Sequence, residues 1–267
     1  MISDRLSALL GAVLIFVVSC GEAAELEPKP VGSVTHSSDD LKPKETERGI
    51  EKIWSIKATD KETAGAAAQT IKEAEQRLSA FARQHGLEAF VPDIEAQELA
   101  VYPSKKAFDT FLRDSNRWPS DQQIPETIIA LYAYSAIHVV EESAALENDD
   151  RLTGHQDYVG VLTHELAHGL HIAVGRAHQI SYGPVWFREG FAIMAASLFE
   201  NDPISDVDFR FVLNGKAERD YDLYGAAFEK RYAEYEAKAA AGYPKVKFSA
   251  GGRVLEAAGL DGEKILP

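Results

Sequence analysis

The segment VLTHELAHGLHIAVG, residues 161–175, combines apolar residues at helical spacing with three histidines and one glutamate. His164 and His168 are four positions apart, so about 400° of helix turn and about 6 Å of rise place both rings on one face. Two imidazoles so placed can bind one metal ion. Glu165 points about 100° away around the axis, which in H-E-x-x-H helices leaves it beside the metal and able to accept a proton from water. The segment therefore predicts a metal-binding helix with its own proton acceptor.

A zinc site of this kind needs a third protein ligand and an open fourth position. His171 is the nearest candidate and lies at nearly the same azimuth as His164. About 10 Å of axial rise separates the two residues, however, which is too far for both to reach a zinc ion at about 2 Å. We therefore interpret His171 as a group at the rim of the site or behind the ligands, with a solvated or core histidine as an equal alternative.

Glu189, in a second predicted helix, is the better candidate for the third ligand. Pro184 marks the start of this helix, which is expected to run to about Glu200. Three aromatic residues flank the glutamate: Trp186, Phe187 and Phe191. Among such neighbours a carboxylate is costly unless it is paired or bound to a metal.

The two predicted helices carry a pair of motifs that resembles a known enzyme family. HELAH followed by PVWFREGFA is similar to the motif pair of the gluzincin metallopeptidases, the clan of thermolysin and aminopeptidase N, whose second motif reads W-x-x-E-G-x-A. The resemblance implies that His164, His168 and Glu189 are zinc ligands. It also implies that Glu165 is the general base.

The same resemblance implies a fold and an activity. The fold is α+β and zincin-like, with a small N-terminal mixed α/β part that contains an edge strand, followed by a mainly helical part that carries the zinc site. The activity is that of a zinc-dependent metallopeptidase, in which Glu165 removes a proton from the attacking water and later returns it to the leaving amine. An edge strand above the zinc helix would bind an extended peptide by backbone pairing. The resemblance covers about residues 95–235 and is specific only at the two zinc motifs.

Other parts of the family pattern are missing. Aminopeptidases hold a free amine with a G-x-M-E-N segment, which is absent because the only methionines are Met1 and Met194. This absence favours an endopeptidase. Ile193 stands where thermolysin places an aspartate behind the ligands, and Val174 stands where metzincins place a third histidine. The group that orients His164 is therefore left open.

A tyrosine further along the chain is the candidate oxyanion donor. Gluzincins of the aminopeptidase type use a tyrosine hydroxyl for this purpose, and Tyr224 lies in the closest counterpart of that motif, with Tyr221 one turn earlier. Five aromatic residues in this region follow helical spacing: Tyr221, Tyr224, Phe228, Tyr232 and Tyr235. An aromatic stripe of this kind is more often simply core, so this alternative stays open for Tyr224.

Upstream of the metal motif, sequence patterns predict both helices and strands. Residues 62–85 are alanine-rich with apolar residues at helical spacing, which predicts a long helix. A strand is expected to end at Tyr102 and a helix to begin at Lys105, after a Pro-Ser break. The β-branched run at residues 136–141 predicts another strand.

The N-terminus predicts export and a lipid anchor. Residues 1–19 have the pattern of a signal peptide with a short apolar core. Cys20, the only cysteine, ends a stretch that resembles a bacterial lipobox, which implies a lipid-anchored protein of the cell envelope that faces the periplasm or the exterior. An ordinary cleaved signal is the alternative. We divide the chain into the signal 1–19, a flexible tether 20–49 and a gluzincin-like domain 50–267, with an α/β part 50–156 and a helical part 157–267.

Charge restricts the possible partners. The formal net charge is −14, and no basic run occurs, which argues against nucleic acid as a partner. A peptide or protein substrate is expected, with Zn²⁺ as the cofactor. Two other classes stay open: a catalytically silent zinc-binding lipoprotein that binds a peptide or protein partner, and a structural domain whose histidines are core residues.

Overall fold

The structure is a computed structural model that describes residues 52–133, 135–178, 183–198, 204–214 and 221–240. The predicted signal peptide, the anchor cysteine and the tether lie outside these residues. In chain order the described elements are β1 (Ser55–Lys57), α1 (Lys61–Gln84), a 3₁₀ helix (Glu88–Asp93), β2 (Glu98–Tyr102), α2 (Lys105–Asp114), β3 (Ala130–Ala133), β4 (Ala136–Val140), α3 (Glu142–Asn148), α4 (His155–His178), α5 (Val185–Ala196), α6 (Asp206–Leu213) and α7 (Tyr221–Ala240).

The four strands form one mixed sheet in the order β1-β2-β4-β3. β1, β2 and β4 run parallel, with Leu99 of β2 opposite Ile137 of β4. β3 pairs antiparallel with β4 and places Tyr132 opposite Ile137. β3 forms one edge of the described sheet, and all four of its residues are buried.

The long helix predicted at 62–85 is α1, which begins one residue earlier and ends one residue earlier. Asp60 caps it, because its carboxylate accepts a hydrogen bond of 2.8 Å from the backbone N–H of Thr63. Its buried residues repeat at helical spacing: Thr70, Ile71, Ala74, Leu78 and Ala82. This apolar stripe explains why the helix could be predicted.

The predicted boundaries around β2 are also confirmed. β2 ends at Tyr102, and α2 begins at Lys105 with the Ser104 hydroxyl accepting from the backbone N–H of Ala107 at 3.2 Å. The strand expected at 136–141 is β4, but it ends one residue early. Glu141 instead precedes the first residue of α3, and its backbone carbonyl accepts the first hydrogen bond of that helix.

α4 is the central helix of the fold. Every residue from 158–171 is buried, and α1, α5, β3 and the 3₁₀ helix pack around it. A helix that is covered on all sides belongs to the interior rather than the surface of a domain. One cluster of buried apolar residues has members from α1 to α7, so the sheet and the helices share a single core. All described strands precede α4, and all described elements from α4 onward are helices.

α5 begins at Val185, directly after Pro184 as expected, but it is shorter than predicted. It ends at Ala196 rather than near residue 200. Ser197 adopts a left-handed conformation with φ 47°, and the backbone N–H of Leu198 donates to the carbonyl of Ile193 at 3.2 Å. This pair of features closes a helix and turns the chain away from its axis.

α5 and α7 approach each other closely at Gly190. A methyl group at this position would lie 2.5 Å from the backbone oxygen of Tyr224 and 2.6 Å from Cβ of Phe228. Only glycine therefore fits between the two helices at this spacing.

Among the described helices, none has the length and hydropathy needed to span a bilayer.

Candidate metal centre

Three predicted ligands meet between α4 and α5. Nε2 of His164 and Nε2 of His168 are 3.2 Å apart. Oε2 of Glu189 lies 3.4 Å from the first nitrogen and 3.6 Å from the second. All three residues are buried, and in the described part of the chain they form the one group of this kind that could hold a metal ion. The structure thus brings together two residues of one helix and one residue of the next.

The triangle formed by these three atoms fits a tetrahedral metal ion. Zinc binds nitrogen and carboxylate oxygen at about 2.0–2.1 Å, so the ligand atoms of a tetrahedral site are about 3.3–3.4 Å apart. The three observed distances of 3.2, 3.4 and 3.6 Å bracket this value. Oε2 of Glu189 is buried and has no hydrogen-bond partner among the described residues. A bound cation would satisfy this oxygen, which is otherwise costly to bury.

The protonation state of the ligands also suits a metal. Burial lowers the pKa of His168 well below its usual value, and the nearby His164, His171 and Arg188 lower it further. His168 is therefore neutral near pH 7, which leaves a nitrogen lone pair for a metal.

Glu165 directly follows His164 in α4 and is completely buried. Burial raises its pKa to about 7; His164 lowers the pKa, Glu189 raises it, and the backbone N–H of Tyr132 lowers it. Within the described residues neither carboxylate oxygen has a hydrogen bond of normal geometry. The carboxyl group is thus desolvated and electrostatically coupled to the ligand group.

His171 is a core residue. Its side chain is buried, and its ring packs against Phe187 and Phe191, with centroids 5.2 and 5.5 Å away. Burial and, to a smaller extent, the charge of Arg188 lower the pKa of His171 to about 3. The solvated alternative is therefore wrong. The packing of the ring is that of a core histidine, and a place at the rim or behind the ligands stays a prediction. His171 is also not one of the three grouped ligands.

Tyr224 is buried on α7, next to α5. Its backbone oxygen is the atom that faces Gly190. Phe228, one turn later, packs against Phe187 and Phe191, with ring centroids 5.2 and 6.0 Å away. The aromatic stripe therefore contributes to the core, while the role of the Tyr224 hydroxyl stays a prediction. The side chain of the alternative tyrosine, Tyr221, lies outside the described residues.

Two features of the site were not identified from the sequence. The positive charge of Arg188 acts on both His168 and His171, although its position directly before Glu189 could have drawn attention to it. Nδ1 of His164 is buried without a hydrogen-bond partner in the described part of the chain. Metal-binding histidines usually donate this second N–H to an acceptor. No such acceptor for His164 lies among the residues that the structure describes.

A separate cavity of about 1210 Å³ lies elsewhere in the fold. It is lined by the ends of α1, α5 and the loop before α4, together with α7, and none of the three ligands or Glu165 lines it. One of its walls carries a hydrogen bond of 3.1 Å between Nδ1 of His85 and the hydroxyl of Tyr232. This cavity is therefore separate from the candidate metal centre.

Comparisons of the chain with protein-family models, with curated proteins and with solved structures give no match. The function of this protein is therefore inferred from its site. The site offers a buried group of two histidines and one glutamate that can hold a metal ion, with a second glutamate beside it.

Proposed function

We propose that this protein is a zinc-dependent metallopeptidase with a gluzincin-like, zincin-type fold, which acts as an endopeptidase on peptides or proteins. One observation carries the proposal: the atoms of His164, His168 and Glu189 converge at tetrahedral spacing while the carboxyl group of Glu165 lies beside them. In a purely structural core, it would be costly to bury three such polar atoms close together. The H-E-x-x-H spacing and the second motif support the same assignment.

The residues of the chain divide the chemistry between them. Zinc, when bound to the three ligands, would polarise the scissile carbonyl group and make water more acidic. Glu165 takes the proton from the attacking water and gives it to the leaving amine nitrogen. Tyr224 is the proposed donor to the oxyanion, with Tyr221 as the alternative.

The edge strand β3 is the proposed site of substrate pairing. The backbone of Tyr132, in this strand, acts on Glu165, so an extended peptide paired with β3 would pass the proton acceptor. All residues of β3 are buried, however. Substrate pairing therefore requires a movement that uncovers the strand.

The proposed location is the cell envelope. The apolar segment within residues 1–19 and the cysteine at position 20 support a lipid anchor, which would attach the domain to a membrane surface through the tether 20–49. The acidic net charge of −14 agrees with a protein substrate rather than nucleic acid.

Burial of the site favours a second candidate function. His164, Glu165 and Glu189 are at most 2% exposed. A closed metal site of this kind is typical of structural zinc, whereas a catalytic ion needs an open position. The second candidate is therefore a catalytically silent zinc-binding lipoprotein that binds a peptide or protein partner. The intact Glu165 speaks for the peptidase, because a structural metal needs no proton acceptor.

A peptide-library digest of the zinc-loaded protein tests the proposal. Cleavage should stop with a chelator and return with added zinc. Glu165→Gln should keep the metal and lose activity by roughly 10²–10⁴-fold, since it removes the general base. The cleavage products would be identified by mass spectrometry, and bound zinc would be measured in parallel. Zinc binding without cleavage would select the silent metal protein, and a zinc-free protein would exclude both candidates.

A further inference from the structure

The guanidinium group of Arg77 lies where the first turn of α4 meets the end of α5. Its Nη1 donates to the backbone oxygens of Gln156 at 3.3 Å and Ala196 at 3.2 Å. Its Nη2 donates to Oε1 of Gln156 at 3.3 Å. Gln156 is the second residue of α4, and Ala196 is the last residue of α5. Arg77, from α1, therefore joins the two helices that supply the metal ligands.

Gly160 lies directly below this guanidinium group. A methyl group at position 160 would come within 2.6 Å of Cδ2 of Leu198 and within 3.1 Å of Nη1 of Arg77. Gly160 precedes His164 by four residues, so it lies on the same face of α4 as the two histidines. The contact between the end of α5 and α4 is thus close, and it lies one turn from the ligand group.

The two helices cross in an antiparallel sense, with the start of α4 beside the end of α5. Glu189 is seven residues before Ala196, which is about 10 Å along α5. A small rotation or slide of α5 at the Arg77 contact would therefore move the carboxylate of Glu189 relative to His164. Metal binding tolerates changes of only about 0.2 Å in ligand distances. The relative position of the helices thus decides whether the three ligands can bind one ion.

The ligands themselves do not hold this arrangement together. Oε2 of Glu189 has no hydrogen-bond partner in the described part of the chain. Contacts outside the ligand group must therefore keep the buried carboxylate opposite the imidazoles.

We propose that Arg77 is a positioning residue for the metal centre, which ties the C-terminus of α5 to the first turn of α4 and so holds Glu189 opposite His164 and His168. The inference rests on metal binding by this group, as does the proposed function, but it does not depend on peptide hydrolysis. Arginine suits the role because the negative end of the α5 dipole attracts its charge. Its planar fork also bonds groups on both helices at once, which the single ammonium group of lysine does less well.

Zinc affinity of the purified full chain tests the role of Arg77. Zinc would be titrated against a competing chelator for the wild type, Arg77→Gln, Arg77→Lys and the control Arg83→Gln. Arg83 is an exposed residue on the same helix. Loss of a residue that orients ligands weakens metal binding by roughly 10–100-fold, and we expect about tenfold for Arg77→Gln. Arg77→Lys should lie between this variant and the wild type, and Arg83→Gln should match the wild type.

The absorption spectrum of bound Co²⁺ separates positioning from a general loss of stability. Arg77→Gln should show weaker visible bands, because displacement of Glu189 takes the ion away from tetrahedral geometry. Urea unfolding in the presence of chelator would confirm that the metal-free variants are folded. Gly160→Ala provides a second approach if Arg77→Gln does not fold. Its methyl group would press on both Leu198 and the guanidinium group of Arg77, where α4 meets the end of α5, and should change the spectrum in the same way.

Two results would overturn the inference. The first is a wild-type protein that binds no metal, in which case the proposed function is lost as well. The second is a wild type that binds metal while Arg77→Gln, or Gly160→Ala in its place, binds with the same affinity and the same Co²⁺ spectrum. Metal binding weakened by Arg77→Gln in a protein that cleaves no peptide would support the role of Arg77 and reject only the peptidase.

Discussion

α4 carries two groups of histidine and glutamate that differ in nearly every physical respect. At its first residue, Nδ1 of His155 lies 3.0 Å from Glu142 and Nε2 lies 3.1 Å from Glu73, which belong to different helices. In the middle of α4, the nitrogens of His164 and His168 instead point at each other. The side chain of His155 is 41% exposed, whereas that of His164 is 1% exposed. The direction of the nitrogens and their burial, rather than residue type, distinguish an ion pair from a metal site.

The two groups also respond to protons in opposite ways. Hydrogen bonds to Glu142 and then Glu73 raise the pKa of His155, because an imidazolium can donate from both nitrogens at once. Burial lowers the pKa of His168 instead. The exposed His155 therefore favours the protonated form, whereas the buried His168 favours the neutral form with a free lone pair.

The largest expected difference between the two groups is in zinc affinity after one histidine of each is replaced. His168→Ala removes one of three metal ligands and should weaken zinc binding by about 3 kcal/mol, on the order of a hundredfold, which is one ligand's share of a typical zinc-binding free energy. His155→Ala should leave zinc affinity unchanged. Competition with a chelator measures both. Equal affinities in the two variants would show that the buried group is not the zinc site.

Zinc itself should stabilise the fold through the buried group alone. At a free zinc concentration of one hundred times Kd, binding to the native state adds about 2.7 kcal/mol to the free energy of unfolding. Urea unfolding with and without zinc measures this difference. The effect should persist in His155→Ala and fall to about 0.4 kcal/mol in His168→Ala, because a hundredfold weaker affinity brings Kd close to the free zinc concentration. A zinc effect of undiminished size in His168→Ala would place the ion elsewhere.

The next largest expected effect is a loss of stability when the close packing beside the buried group is disturbed. Gly190→Ala should destabilise the protein by about 1–3 kcal/mol, because the methyl group would force α5 and α7 apart next to Glu189. Gly65→Ala is the matched control. No atom lies within 4 Å of a methyl group at position 65, and alanine favours a helix by about 1 kcal/mol. Urea unfolding of chelator-treated samples measures both variants. If this packing is correct, the free energy of unfolding should fall in Gly190→Ala and rise in Gly65→Ala.

The smallest expected effect concerns pH and the exposed group. Since the folded pKa of His155 lies above its usual 6.5, its stabilisation is complete below pH 6.5 and is lost as the pH rises through the folded value. His155→Gln should therefore lower stability on the acidic side and match the wild type on the alkaline side. The difference should be below about 1 kcal/mol, because the pair is exposed and screened by salt. An unchanged pH profile of unfolding in this variant would show that the ion pairs contribute nothing.

Local signals were enough to predict much of the fold. The Pro-Ser break before Lys105 and the proline before Val185 each mark a helix start that the structure confirms. These signals act within a few residues, so the sequence displays them directly. The end of α5 was wrong by about four residues. It depends on the left-handed conformation of Ser197 and on the packing of Leu198 against α4, and neither has a local signature.

The same division holds for the two histidine groups. His164 and His168 could be paired from their spacing in one helix, and the resemblance to gluzincins added Glu189. The group at His155 was not predicted. Its partners are 82 and 13 residues away in the chain, and only tertiary packing brings α1 and α3 to the start of α4. Burial of His171 between two phenylalanine rings depends on tertiary packing in the same way.

The two edges of the sheet, β3 and β1, affect how readily copies of the chain associate with each other. Unpaired backbone groups at a sheet edge can template pairing between chains. At one end of the described sheet, burial withholds the edge from other molecules. At the other end, β1 is only three residues long and carries Lys57, which pairs with Glu98. Short length and charge discourage pairing there, so both ends of the sheet resist self-association.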